Sequence, residues 1–512
     1  MNAPITRRLA AAGREPWLVL GLLTFAIHLL FNHGYGIFRD ELYFIVCGQR
    51  PDWGFVDQPP VIPLLAAWSH ALFGDWLTGF RLVPALALSA TVAMTSAFTR
   101  EIGGGRFAQW LAGLCVLFSG QFLAIGLLFT TDTFLPMVWL ACAWFLVRLT
   151  KSGDERWWLA FGAVVGFGLL TKYTIGFYIA ALAVGLLATP LRKSLLRPWV
   201  YGGALIAVLL VLPNVLWQAA HDWPFLELGK TAMSGKNIAL SPLSYFLQQL
   251  LLIGPSAAPM WIAGLAACLY RPRYPFFRAY PIAYVLLFAF FVATHGKAYY
   301  LSIFYPVLLA IGSEAIERWF RHWAVRGYAI ASVVIAGAAV APLALPVMSE
   351  EDYIAYAGAI GLGPSSVAAE NQKLGLLPQH YADMHGWPEM AAKIAQVYHA
   401  LPPEDRAKAV FYGRNYGEAG AIDVYGRALG LPPAISGHNN YYLWGPQGHD
   451  GSVVIVLGGN RDHYAEQFRS VEQAGFLDTP YAMPSETNQP VYVLRGPKKP
   501  LSEMWPEVKS YG

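Results

Sequence analysis

Charge is scarce in this sequence. Asp, Glu, Lys and Arg make up 13% of its 512 residues, where soluble domains carry roughly 25%. With 56% hydrophobic and 14% aromatic residues, that scarcity excludes an ordinary soluble domain. Cysteine is scarce too, at four. Cys115, Cys142 and Cys268 fall inside apolar runs, where a small thiol is ordinary packing, and Cys47 stands alone. A disulfide framework and a zinc motif are therefore excluded. No internal repeat and no low-complexity linker interrupts the chain. The formal net charge is only +4, and its cations fall in loops as a membrane topology signal rather than as a nucleic-acid footprint.

What the sequence does have is long apolar runs. They recur from near the N-terminus to about residue 346, and most are long enough to cross a bilayer core of roughly 30 Å as a helix. About eleven crossings are expected, over 17–33, 79–99, 107–128, 133–149, 157–171, 174–189, 198–216, 243–268, 279–294, 302–316 and 327–346. The runs 157–171 and 174–189 meet across Lys172 and also read as one broken hairpin. Cations mark alternate loops: Arg7, Arg8 and Arg14; Arg100 and Arg106; Arg148, Lys151 and Arg156. The series continues with Arg192, Lys193 and Arg197; Arg271, Arg273 and Arg278; Arg318, Arg321 and Arg326. Cationic loops stay on the cytoplasmic side, which places the N-terminus inside and residues 347–512 outside. No small-residue cleavage site follows the first apolar run, so it is expected to remain as an anchor. The expectation is a polytopic α-helical membrane protein of the bacterial inner membrane, with a transmembrane domain over 1–346 and a periplasmic α/β domain over 347–512.

In that tail, Ala409–Tyr412, Val453–Leu457 and Val491–Leu494 read as strands. Trp387–Ala400, Glu418–Leu429 and His463–Ala474 read as helices, with Asn415 a plausible cap ahead of the second. The aromatic-polar segment from Ser436 to Gly445 suits either carbohydrate stacking or a packed loop.

Ionisable groups near the outer ends of spans carry the functional information, because charge is expensive next to hydrocarbon. The first outside loop has Arg39-Asp40-Glu41-Leu42-Tyr43, then Asp57-Gln58-Pro59-Pro60. Adjacent Asp40 and Glu41 point in different directions on a helix. One suits a substrate while the other suits Arg39 or a backbone amide; the alternative is acids favoured by a helix dipole. Asp132, at an outside turn, suits substrate binding or an N-cap. Lys172 and Lys297 run against the positive-inside trend, which suits either a lipid phosphate or snorkelling to the interface. Arg81 reads as an interface anchor or a phosphate contact, and His221-Asp222 as half a metal site without diagnostic spacing.

The motifs Arg39-Asp40-Glu41-Leu42-Tyr43, Asp57-Gln58-Pro59-Pro60, Thr131-Asp132-Thr133, Lys172 and Gly296-Lys297-Ala298-Tyr299-Tyr300-Leu301 together resemble the bacterial branch of the dolichyl-phosphate-mannose protein mannosyltransferases. The resemblance runs over nearly the whole chain, including the tail around Asn415-Tyr416-Gly417-Glu418-Ala419-Gly420. It implies a GT-C fold, shared with the lipid A aminoarabinose transferases. It also implies a polyprenyl-phosphate-linked sugar donor, an inverting displacement, and a lipid, glycan or protein acceptor at the membrane. Asp40 and Glu41 then become the catalytic candidates, with Asp40 as the base. Arg39, Asp57, Gln58, Asp132, Lys172, Lys297 and Tyr300 become substrate-binding candidates, the two lysines for the lipid phosphate. No cofactor is required, and a divalent metal, though compatible, is indicated by no motif. Where the aminoarabinose enzymes carry Glu-Lys-Pro, this chain has Asp57-Gln58-Pro59, so it lacks a phosphate-binding lysine that they use. A transporter or flippase of polar or lipid-linked substrates is the reading from another class. It calls for broken spans in matching halves and midplane charges, whereas the charges here gather at span ends.

Overall fold

A computed structural model describes residues 15–270, 272–368 and 370–512. It is mostly helical, with apolar helices up to residue 343 and a small sheet near the C-terminus. Among the described residues, five helices are long and apolar enough to cross a membrane: Leu82–Glu101, Pro198–Ala220, Pro275–Ala293, Ala298–Trp319 and Trp323–Leu343. Three bent pairs pass the same test together, Arg106–Leu117 with Gly120–Leu127, Ile175–Leu187 with Pro190–Leu196, and Pro242–Ile253 with Pro255–Tyr270. That gives up to eight spans against the eleven expected. The difference lies in helices such as Pro16–Phe31 and Trp157–Leu169, which are apolar but short. The expected cations Arg7, Arg8, Arg14 and Arg271 lie outside the described residues.

The chain divides into two compact units. The first comprises the chain up to Gly34, Thr78–Trp217 and Asn237–Val347; the second comprises Tyr35–Leu77, Gln218–Lys236 and Met348–Gly512. The second unit thus takes in the loop that carries Arg39, Asp40, Glu41 and Asp57 as well as the tail.

In the first unit, close helix approach depends on glycine. A Cβ on Gly312 would collide with the Met260 carbonyl oxygen, and one on Gly264 with that of Leu308. The helices Ala258–Tyr270 and Tyr305–Trp319 therefore touch backbone to backbone, as small residues permit in membranes. Polar side chains here bond to main-chain carbonyls. His28 reaches Thr24 and Leu123, at 2.9 and 3.1 Å. Arg81, expected at the interface, is instead fully buried and donates to the Asn32 carbonyl at 2.6 Å. Burying an unpaired guanidinium would be prohibitive, so the bond and the burial come together.

In the second unit, five strands form one sheet: β1 (Ala409–Gly413), β2 (Ile435–Ser436), β3 (Val453–Leu457), β4 (Phe468–Leu477) and β5 (Gln489–Pro497), in the order β2-β1-β3-β5-β4. β1 runs parallel to β2 and β3, while β5 is antiparallel to β3 and β4. All five residues of β3, Val-Val-Ile-Val-Leu, are buried, as expected of a strand covered on both faces. The expected helix over 463–474 is corrected: it stops at Gln467 and the chain continues as β4. Pairing with β5 along its length overrides the local helical pattern. Charged Arg469 and Glu472 decorate this edge strand, a common guard against further pairing.

The Gly312 approach yields a sharp expectation. Gly312→Val adds volume where backbone already stands, and overpacking of this kind costs about 1–3 kcal/mol or more. Its thermal unfolding in detergent should shift several degrees below wild type, whereas Gly327→Val, with open space around it, should not move.

Candidate functional site

In the second unit the helix Arg39–Gln49 presents Arg39, Asp40 and Glu41 in its first turn. The two acids do different things. Glu41 is fully buried and its carboxylate accepts the Phe38 N–H at 2.9 Å, closing the helix start. Asp40 keeps 35% of its side chain exposed and lies 3.7 Å from the Arg39 guanidinium. Its Oδ1 also accepts from the Tyr416 hydroxyl at 2.7 Å.

Tyr416 arrives there through a short chain of local causes. β1 ends at Gly413, Asn415 accepts the N–H groups of Gly417 and Glu418, and the helix Tyr416–Tyr425 starts at that cap. Glu418, fully buried, accepts from the backbone and guanidinium of Arg414, both at 2.8 Å. Burial pushes its carboxyl up to about 7 against the pull of Arg414. Tyr416 stacks on Tyr43 at 4.7 Å, and the Arg39 guanidinium lies over the Tyr416 ring, 5.3 Å from its centre.

Tyr43 links a further acid of the loop, Asp57. Its hydroxyl donates to Asp57 at 3.1 Å and accepts the Asn440 N–H at 3.1 Å. Burial pushes Asp57 up to about 6; the Tyr43 bond opposes that shift, and the negative charge of Asp40 adds to it. Gln58 is buried. Asn440 also accepts the Val56 N–H at 2.6 Å, so the 436–445 segment is a packed loop: Tyr441 is fully buried and Arg50 covers the Trp444 ring at 4.4 Å. Asp222 and Trp223 form a left-handed turn, and no group of three His, Cys, Asp or Glu among the described residues is placed to hold a metal.

The first unit holds the remaining candidates. Lys172, in the turn between the helices Trp157–Leu169 and Ile175–Leu187, meets Asp132 at 2.7 Å. Asp132 therefore serves as a counter-ion rather than a cap, since the helix Leu135–Ser152 has no side-chain cap. The Lys172 ammonium lies 4.7 Å from the Tyr300 ring centre and 5.6 Å from that of Tyr299; Lys297 lies 5.9 Å from Tyr299. The stretch carrying Lys297 and Tyr300 is pinned through its carbonyls. Asn237 donates to His295, Tyr245 to Lys297, Gln249 to Ala298 and Tyr178 to Tyr300. Cations above tyrosine faces gain a further attraction of about 0.5–2 kcal/mol.

Sequence reading found Asp40, Asp57, Asp132 and the lysines, but missed Tyr416 and Asn440 as partners of the loop. The Asn415 cap was the one local signal pointing near Tyr416.

The comparisons agree on the kind of protein this resembles. Residues 57–217 match the family model of the dolichyl-phosphate-mannose-protein mannosyltransferases, the family that the sequence motifs resemble. The lipid A galacturonosyltransferase RgtD of Rhizobium johnstonii is 22% identical over 330 residues, 62% of this chain and 63% of that protein. The undecaprenyl phosphate-alpha-4-amino-4-deoxy-L-arabinose arabinosyl transferase 1 of Pseudomonas fluorescens is 29% identical over 283 residues, 52% of this chain and 50% of that one. The matches thus span less than two thirds of either relative. The crystal structure of ArnT from Cupriavidus metallidurans bound to undecaprenyl phosphate superposes with a TM-score of 0.62 at 16% identity, over 95% of this chain and 100% of that one. The fold is therefore that of a membrane glycosyltransferase.

The Asp132–Lys172 pair is directly testable. Its side chains are only 10% and 15% exposed, so removing one partner should cost about 3–5 kcal/mol. Lys172→Met should unfold at lower temperature in detergent, and adding Asp132→Asn should recover much of the loss. Equal, additive losses would mean that the two charges are not coupled.

Proposed function

Proceeding from the family match over residues 57–217, we propose that this chain is a glycosyltransferase of the bacterial inner membrane. It moves a sugar from a polyprenyl-phosphate donor to a lipid, glycan or protein acceptor at the outer face. The observation that carries this reading is Asp40: a partly exposed carboxylate whose orientation is set by Tyr416 and Arg39, in a loop that is otherwise closed by hydrogen bonds.

The chemistry assigned to it is an inverting displacement. The acceptor hydroxyl attacks the anomeric carbon, its proton passes to the Asp40 carboxylate, and the carbon–oxygen bond to the lipid phosphate breaks with its electron pair leaving on phosphate. A positioned base contributes typically about 10²–10⁴-fold. Cations stabilise the departing charge, a task given to Lys297 and to Lys172, which Asp132 holds in place. Tyr300, packed beneath the Lys172 ammonium, shapes that surface. Arg39 and Asp57 orient the loop around Asp40, Glu41 closes the helix start, and neutral Gln58 stands where a related enzyme has lysine.

Orientation completes the proposal. The N-terminus lies in the cytoplasm and the domain from 347 to 512 in the periplasm, and what supports this is the alternation of cationic loops. A reporter fused near Lys193 should then signal inside and one near Gly445 outside; the opposite pair of signals refutes the orientation.

The enzymatic reading is tested on purified protein, with a synthetic polyprenyl-phosphate sugar and membrane acceptors. Asp40→Asn should lower transfer by about 10²–10⁴-fold with donor affinity retained. Lys297→Met should weaken donor binding. Near-normal transfer by Asp40→Asn removes Asp40 from the mechanism.

A further inference from the structure

Asp383 belongs to none of the motifs above, yet it holds Arg39 at two points. Its backbone carbonyl accepts the Arg39 N–H at 3.0 Å, and its carboxylate lies 3.6 Å from the Arg39 guanidinium. The residue itself is rigidly placed. Its N–H donates to the Gln379 carbonyl at 2.9 Å, and its own carbonyl also accepts from the buried Trp387 indole at 2.8 Å. The Asp383 side chain is fully buried, whereas Asp40, against the same guanidinium, is 35% exposed. One cation is thus divided between a buried acid and an accessible one. A buried carboxylate paired at 3.6 Å is a poor way to gain stability, because desolvation offsets much of the attraction. Beyond serving as a counter-charge, Asp383 therefore bears on the neighbouring acid, Asp40.

We propose that Asp383 is a positioning residue for the transfer reaction: by holding the Arg39 guanidinium, it keeps that cation from closing further onto Asp40, whose carboxylate is left to be directed by Tyr416 toward the acceptor. The inference rests on the reading of Asp40 as the base. With the Asp383 charge removed, Arg39 has one carboxylate left within reach. A tight ion pair occupies an Asp40 oxygen and lowers its affinity for the acceptor proton.

The arrangement is sensitive to pH near neutrality. The groups facing Asp383 are Arg39 and Asp40 from the helix Arg39–Gln49, Glu486 from the loop before β5, and the polar Gln379 from its own short helix. Burial raises the Asp383 carboxyl, Glu486 and Asp40 raise it further, Arg39 pulls it back, and it settles at about 7. Above that pH, Asp383 is ionised and retains Arg39. Below it, Asp383 is protonated and Arg39 is released to Asp40, so turnover falls as pH drops through about 7. Asp57, raised to about 6, titrates lower and by a different bond, with Tyr43.

The test is the pH dependence of kcat for transfer, measured on the full-length protein in detergent with a synthetic polyprenyl-phosphate sugar. Asp383→Asn should lower kcat about tenfold at pH near 8, leave the donor KM unchanged, and abolish the acid limb near pH 7. Asp383→Glu, which keeps the charge, should recover part of kcat and displace the limb. A purely structural role would lower the amount of active enzyme without altering the shape of the profile. Asp40→Asn is assayed in parallel. If it retains turnover, the underlying reading fails and this inference falls with it. If Asp40→Asn is inactive while Asp383→Asn keeps wild-type kcat and its acid limb, the inference alone is overturned. Should Asp383→Asn not fold, a wild-type kcat that is flat between about pH 6 and 8, or a limb unmoved in Asp383→Glu, overturns it equally.

Discussion

The guanidinium of Arg39 lies within 4 Å of two carboxylates, and only one of them reaches solvent. A buried cation needs a counter-charge, since leaving it unpaired costs far more than a single domain can spare. Here that need binds the start of the helix Arg39–Gln49 to Asp383 by a backbone bond and an ion pair together. Everything in the loop then follows from where Arg39 is held. Asp40 projects beside it, Tyr416 closes on Asp40 from the helix after β1, and Tyr43 passes the network on to Asp57 and Asn440.

The same rule governs the first unit with different residues. Lys172 takes Asp132 as its counter-ion, Arg81 takes the Asn32 carbonyl, and His28 takes two carbonyls. None of these groups is left facing hydrocarbon alone. Where helices approach most closely, glycine removes the side chain altogether, and main-chain contact replaces it. Few charges in the composition therefore means that nearly every buried one has a specific partner and a specific place.

A carboxylate that serves as a base needs a proton affinity neither too low nor too high. Near a lone arginine it would be held strongly ionised. Asp40 instead shares Arg39 with Asp383 and is held by the Tyr416 hydroxyl, while part of its side chain stays exposed. That explains why one acid of an adjacent pair is available for chemistry while Glu41, one residue on, is consumed in closing the helix.

Hydropathy, cation alternation and the strand runs were legible in the sequence because each is a local pattern. Apolar runs became helices, Trp387–Ala400 formed with the expected bounds, and Asn415 capped the helix it precedes. The candidate acids and lysines stood out because charge beside hydrocarbon is rare. Tertiary structure decided what those groups pair with. Asp132 looked like a cap from its neighbours, but Lys172 arrives from another turn; Arg81 looked like an anchor, but it is buried against Asn32. The segment 463–474 carries a helical pattern, but from Phe468 on it became β4 because β5 offered it a ladder. Local propensity is worth tenths of a kcal/mol per residue, while pairing a buried charge or completing a sheet is worth several times more. The partners that supply those larger energies, Asp383 among them, lie far away in the chain, where no local pattern reveals them.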